Sequence, residues 1–239
     1  RQWVSYHQYT LANTEAGPFW ARLDQRLVAA FDPSQPARYP LVEAAGASPL
    51  EETQAASEDE RLTSDFIYQP VVGFPAERGE WHFSHYQHNR HVTQPDLFGN
   101  GQSGPMPTFL KADNELLRAE ALLRSGQTAA AANVLDAGSR VERGALPPLT
   151  GAASYFAVEE AILYERAIEL FNTAPASLWM DRRRFRPREA SGMVTALGGL
   201  QLGTPAQLPV PVTELRIAGL AVYSFGGEQD PNGTEGFMY

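Results

Sequence analysis

The chain has 239 residues, no cysteine and a formal net charge of −9, from 19 Lys and Arg against 28 Asp and Glu. Without cysteine there are no disulfides, thiolate nucleophiles or Cys-ligated zinc. An acidic chain gains nothing from counterion release on phosphate, so nucleic acid is not an expected partner. Hydrophobic residues make up 43% and charged residues 20%, a globular balance in a chain long enough to bury one large core or two small ones.

The chain begins at Arg1 without an initiator Met, and reads as processed or as a piece of something longer. No apolar run approaches the roughly 18 residues that would span a bilayer, and no signal peptide is visible.

Arg1 to Asn13 is dense in aromatics (Trp3, Tyr6, Tyr9) and is broken by Gly17-Pro18. Phe19 to Phe31 reads as a short helix, with Leu23, Leu27 and Val28 on one face and Arg22, Asp24 and Arg26 off it. Asp32-Pro33 and the following prolines stop it. Leu41 to Glu60 is rich in Ala, Glu and Ser and reads as a partly helical surface segment. Phe66 to Phe74 is apolar but interrupted by Pro70 and Gly73, which predicts short edge strands or loop. Glu80 to Val92 alternates aromatics with histidines, and Gln94 to Pro107 is loop by its Gly, Pro, Asn and Ser content.

Thr108 to Ser125 predicts a strong amphipathic helix, with Leu116, Leu117, Ala119, Ala121 and Leu123 near one side and Gly126 at the C-cap. Thr128 to Arg143 predicts a second helix, ending at Gly144 before Pro147-Pro148. A connection of about three residues makes the two an antiparallel, TPR-like hairpin. One such unit cannot bury its own apolar face and must stack on something. Ser154 to Phe171 predicts a third helix, with Glu159 and Glu160 giving an acidic start and Pro175 beyond its end. Leu178 to Arg184 reads as a short helix or turn, and Leu208 to Leu215 as an extended segment.

Four features in fixed order carry a resemblance. They are Glu58-Asp59-Glu60-Arg61-Leu62; Leu116-Leu117-Arg118-Ala119-Glu120-Ala121-Leu122 running on through Gly126 to Arg140-Val141-Glu142-Arg143-Gly144; Tyr164-Glu165-Arg166-Ala167-Ile168-Glu169-Leu170-Phe171 followed by Leu178-Trp179-Met180-Asp181-Arg182-Arg183; and Leu208-Pro209-Val210-Pro211-Val212-Thr213-Glu214-Leu215. Together they resemble the C-terminal half of the SusD/RagB family of outer-membrane nutrient-binding lipoproteins, over roughly residues 55 to 216. The chain departs from the family pattern at Glu60, where the family's Asp-Pro-Arg has its proline, and at Pro175-Ala176-Ser177, where a Gly-x-Arg normally precedes the tryptophan.

The resemblance implies a mostly α protein: a SusD-like helical fold with a TPR-like hairpin, long irregular loops and few short strands. It implies one region over 1–239, loop-rich over 1–107, with a helical core and extended tail over 108–239. It also implies a site on the outer face of the cell outer membrane, held only by a lipid anchor upstream of residue 1. The partners implied are a SusC-like TonB-dependent transporter and an oligosaccharide or peptide ligand, with no cofactor and no catalysis.

Trp3, Tyr6, Tyr9, Trp20 and Trp81 are the candidate ligand-binding residues, since aromatic faces stack on the C–H faces of sugar rings. Core packing is the competing role. His82, His85, His88 and His91 recur every third residue, a spacing that would bring metal ligands together on a helix. The interleaved aromatics suit a strand better, with His82 and His88 on one side and His85 and His91 on the other. Glu165 and Glu169 share a helix face and offer a carboxylate pair for acid–base work. The arginines nearby, Arg182 to Arg184, instead suggest structural ion pairs locking this helix to the Trp179 element. No G-x-S-x-G, HExxH, P-loop or dinucleotide-binding glycine motif occurs. A TPR-type protein-binding scaffold is the second function the residues allow, and a two-carboxylate glycoside hydrolase a distant third.

Overall fold

The computed structural model describes residues 22–35, 54–69, 83–90, 109–149, 153–171, 173, 180, 181, 184 and 210–221. The chain divides into two compact units, Arg1–Leu178 and Trp179–Tyr239. The described residues are mostly helical, with one small sheet.

In the first unit, strand β1 (Arg22–Asp24) leads directly into helix α1 (Gln25–Phe31). The expected helix from Phe19 therefore starts later, because Asp24 is its N-cap: the Asp24 carboxylate accepts the Arg26 N–H at 2.8 Å. Residues 22–24 pair with a strand instead. Leu23, Leu27 and Val28 are all fully buried, so the apolar positions keep their role although they sit on two elements. Residues 54–60, the described end of the Leu41–Glu60 segment, are not helical; a short helix, α2 (Arg61–Ser64), follows them.

Strands β2 (Phe66–Tyr68) and β3 (Phe83–His88) complete an antiparallel sheet of order β1-β3-β2, with Phe66 opposite His88 and Tyr68 opposite Tyr86. β2 is an edge strand, as its nearby proline predicts. His85 and His88 lie on the central strand and are buried. The His85 Nδ1 is 2.7 Å from the Gln69 carbonyl, so this histidine is part of the hydrogen-bonded interior. His82 and His91 lie outside the described residues.

The hairpin forms from α3 (Lys111–Arg124) and α4 (Thr128–Asp136). Gly126 adopts φ 82°, and the Gln127 N–H bonds back to the Leu122 carbonyl, a glycine-dependent helix stop. Leu116, Ala119 and Leu123 pack on Ala131, Ala132 and Leu135 and on Val158, Ala161 and Ile162 of α6 (Tyr155–Glu169). Leu117 and Ala121 are exposed; the buried face of α3 runs through Glu120 instead, with Arg124 bonded to that carboxylate at 2.7 Å. The second predicted helix is split. α4 ends at Asp136, and a separate turn of helix, α5 (Ser139–Glu142), begins after Gly138. Glycine is a poor helix former, and a Cβ at 138 would lie 3.3 Å from the Val134 carbonyl.

α6 is capped by the Ser154 side chain, which accepts the Ala157 N–H; its first turn holds no acid, since Glu159 and Glu160 fall beyond it. One face of this helix meets the hairpin. Past its end, Phe171 meets Phe66 (ring centroids 5.6 Å apart) and His88 (5.3 Å), while Phe31 meets Phe66 (5.9 Å) and Tyr164 (6.1 Å). These spacings are those of favourable aromatic pairs. They join α1, the sheet and α6 into one core.

In the second unit, Asp181 and Arg184 form an ion pair at 2.6 Å. The Leu208–Leu215 segment is not extended throughout: Pro211 is the N-cap of α7 (Val212–Ile217), with Glu214 in the first turn and Arg216 in the last, as the helix dipole favours. No helix among the described residues is long and apolar enough to cross a membrane.

Candidate functional site

The most concentrated chemistry in the first unit is a buried charge cluster. Arg61 is at its centre, with its side chain fully buried. Its Nε and Nη2 donate to Asp59 at 3.0 and 2.7 Å, and its Nη1 and Nη2 to Glu165 at 2.7 and 2.8 Å. A weaker bond, at 3.5 Å, runs from Nη1 to Glu169. Two fork-on-fork pairs on one guanidinium are the strong, directional form of this interaction.

Glu169 is shared. It also accepts from Arg90 Nη2 at 2.7 Å and Arg143 Nη1 at 2.6 Å, and its main-chain carbonyl accepts from Arg90 Nη1. Arg143 Nη2 reaches Asp65 at 2.6 Å. The Tyr164 hydroxyl donates to Asp59 at 2.8 Å, and the Ser139 hydroxyl to Glu165 at 2.8 Å. Asp59, Asp65, Glu165 and Glu169 thus meet Arg61, Arg90 and Arg143.

Local structure delivers each group. The α2 turn places Asp59 and Arg61 on one side, with Asp59 Oδ1 also accepting the Arg61 N–H at 2.9 Å. Four-residue spacing on α6 puts Glu165 and Glu169 on one face. The break at Gly138 starts α5, which carries Ser139 and ends on its C-cap, Arg143. Gly144 then passes so close that a Cβ there would lie 3.0 Å from Arg61 Nη2 and 2.8 Å from the Arg140 carbonyl. The Gly144 carbonyl accepts the Glu60 N–H at 3.1 Å, fastening the α2 segment to the end of α5.

Burial alone would weaken the charge on Arg61, but hydrogen bonds to Glu165 and Asp59 outweigh it and hold the guanidinium above its ordinary value. Arg143 is raised in the same way: desolvation opposes, and Asp65 and Glu169 prevail. Burial pushes the Tyr164 hydroxyl up, and the neighbouring Asp59 charge adds to it.

This arrangement holds segments together. The side chains of Asp59 and Glu165 are 1% exposed and that of Glu169 2%, so all three are turned inward onto the arginines. The cleft lined by Glu115, Gly138, Ser139 and Glu165 has room for about one water. Among the described residues no group of three or more His, Asp or Glu side chains is placed to hold a metal.

Glu165 and Glu169 are in ion pairs, as expected; Arg182 and Arg183, two of the arginines suggested as partners, lie outside the described residues. Among the described residues their arginines are Arg61, Arg90 and Arg143, while Asp181 pairs with Arg184 in its own segment. Spacing gives no hint of a partner 104 residues away. The one available signal was the Asp59-x-Arg61 pair standing alone in an otherwise Glu- and Ser-rich stretch. Trp3, Tyr6, Tyr9, Trp20 and Trp81 lie outside the described residues.

No protein-family model, no curated protein and no solved structure matches the chain.

Proposed function

We propose that the chain is the C-terminal half of a SusD/RagB-type binding protein. In this reading it captures oligosaccharides or peptides at the outer face of the outer membrane, delivers them to a TonB-dependent transporter, and performs no reaction. One observation carries the proposal. Three of the segments that bear the resemblance, Asp59–Leu62, Arg140–Gly144 and Tyr164–Phe171, converge on a single ion cluster despite their separation in sequence. A resemblance scattered by chance would not require its pieces to meet. The cluster also uses the conspicuous carboxylate pair of α6 for structure, which weighs against a glycosidase role.

The test is a binding panel of neutral and acidic oligosaccharides and short peptides, using the chain together with its upstream sequence. Micromolar binding to one glycan or peptide class, weakened by Trp3→Ala, Trp20→Ala or Trp81→Ala, is the expected result. Turnover of any polysaccharide would overturn it.

A TPR-like protein-binding scaffold is the second reading. It is favoured by large apolar side chains left exposed on and just before the hairpin, Leu117 at 47% on α3 and Phe109 at 59% ahead of it. It predicts no binding in the panel.

A further inference from the structure

We draw no further inference here: the strongest candidate, the Arg140 guanidinium on α5, whose Nε is buried without an acceptor among the described residues, carries nothing, because the cleft beside its neighbour Ser139 presents the carboxylates of Glu115 and Glu165 to any anion, and Arg143, the adjacent cation, is already bound to Asp65 and Glu169.

Discussion

Arg61→Met tests the cluster most directly. Methionine fills similar volume but removes every side-chain donor, leaving Asp59 with the Tyr164 hydroxyl and the residue-61 N–H, and Glu165 with Ser139. Two carboxylates with side chains 1% exposed then lose their counter-ion. Removing one partner of a buried ion pair costs about 3–5 kcal/mol, a large share of the roughly 5–15 kcal/mol that holds a domain together. Urea unfolding of the 239-residue chain, followed by helical circular dichroism, measures it. The single variant Glu165→Met and the double variant complete a thermodynamic cycle. Arg61→Met strands both Asp59 and Glu165, whereas the double variant strands Asp59 alone, so the double variant should lose less than the sum of the two, by about 0.5–3 kcal/mol. A loss below about 1 kcal/mol for Arg61→Met, or strict additivity in the cycle, would refute the reasoning.

Neighbouring backbone positions should respond in opposite directions. Gly144→Ala drives a methyl to within 2.8 Å of the Arg140 carbonyl and should cost about 1–3 kcal/mol. Ala145→Gly relieves a φ of 50° and should gain a few tenths to about 1 kcal/mol; urea midpoints decide both. The Tyr164 hydroxyl is raised by burial and by Asp59, so its stabilising effect is full below the unfolded value of about 10 and is lost as pH rises through the folded one. Tyr164→Phe should accordingly flatten the alkaline fall in stability above about pH 10, and an unchanged slope would count against the Asp59 contact. Asp32 is held below the usual carboxylate range by the Ala56 N–H, then by the Ser34 hydroxyl and N–H. Its contribution is present above about pH 4 and fades as pH falls through the depressed value. Asp32→Asn should thus be less stable than the parent at neutral pH, with the gap closing as pH falls below about 4 in acid titrations of the urea midpoint.

Local signals read well and long-range ones did not. The hairpin was legible because its cues are near neighbours: apolar positions at helical spacing, Gly126 at the stop, and Ser154 at the next start. β1 was hidden because Leu23, Leu27 and Val28 fit a helical stripe whether or not residues 22–24 belong to it; the deciding contact is with Gln87, far along the chain. The break at Gly138 was masked by the alanine-rich helix before it and by Arg140 and Arg143, which mimic a continuing polar face. Helix α7 was missed because prolines dominate the reading of its start; Pro211 stays extended at the N-cap and the helix begins only after it. The cluster itself was half legible. Burial of Glu165 and Glu169 as ion pairs follows from their shared face, but a guanidinium arriving from Arg61 is a tertiary fact with no periodicity to announce it.

The forks on Arg61 also explain why charge, and not more leucine, occupies this place. An apolar contact between the α2 turn and α6 would be non-directional and would fix neither position nor angle. A guanidinium engaged on two carboxylates at once has one solution in position and angle. Gly144 tightens the constraint, because only a residue without a side chain lets α5 end against the guanidinium. Seen this way, the glutamate at position 60, where the resemblance would place proline, is conformationally quiet. Glu60 sits at φ −60°, the angle a proline ring would impose, so the α2 turn keeps its shape with either residue. What glutamate adds is its N–H on the Gly144 carbonyl, a bond no proline can make. Relative to a proline, glutamate here gives a less stiff chain but a second tie between the same two segments, and the geometry that delivers Arg61 is the same.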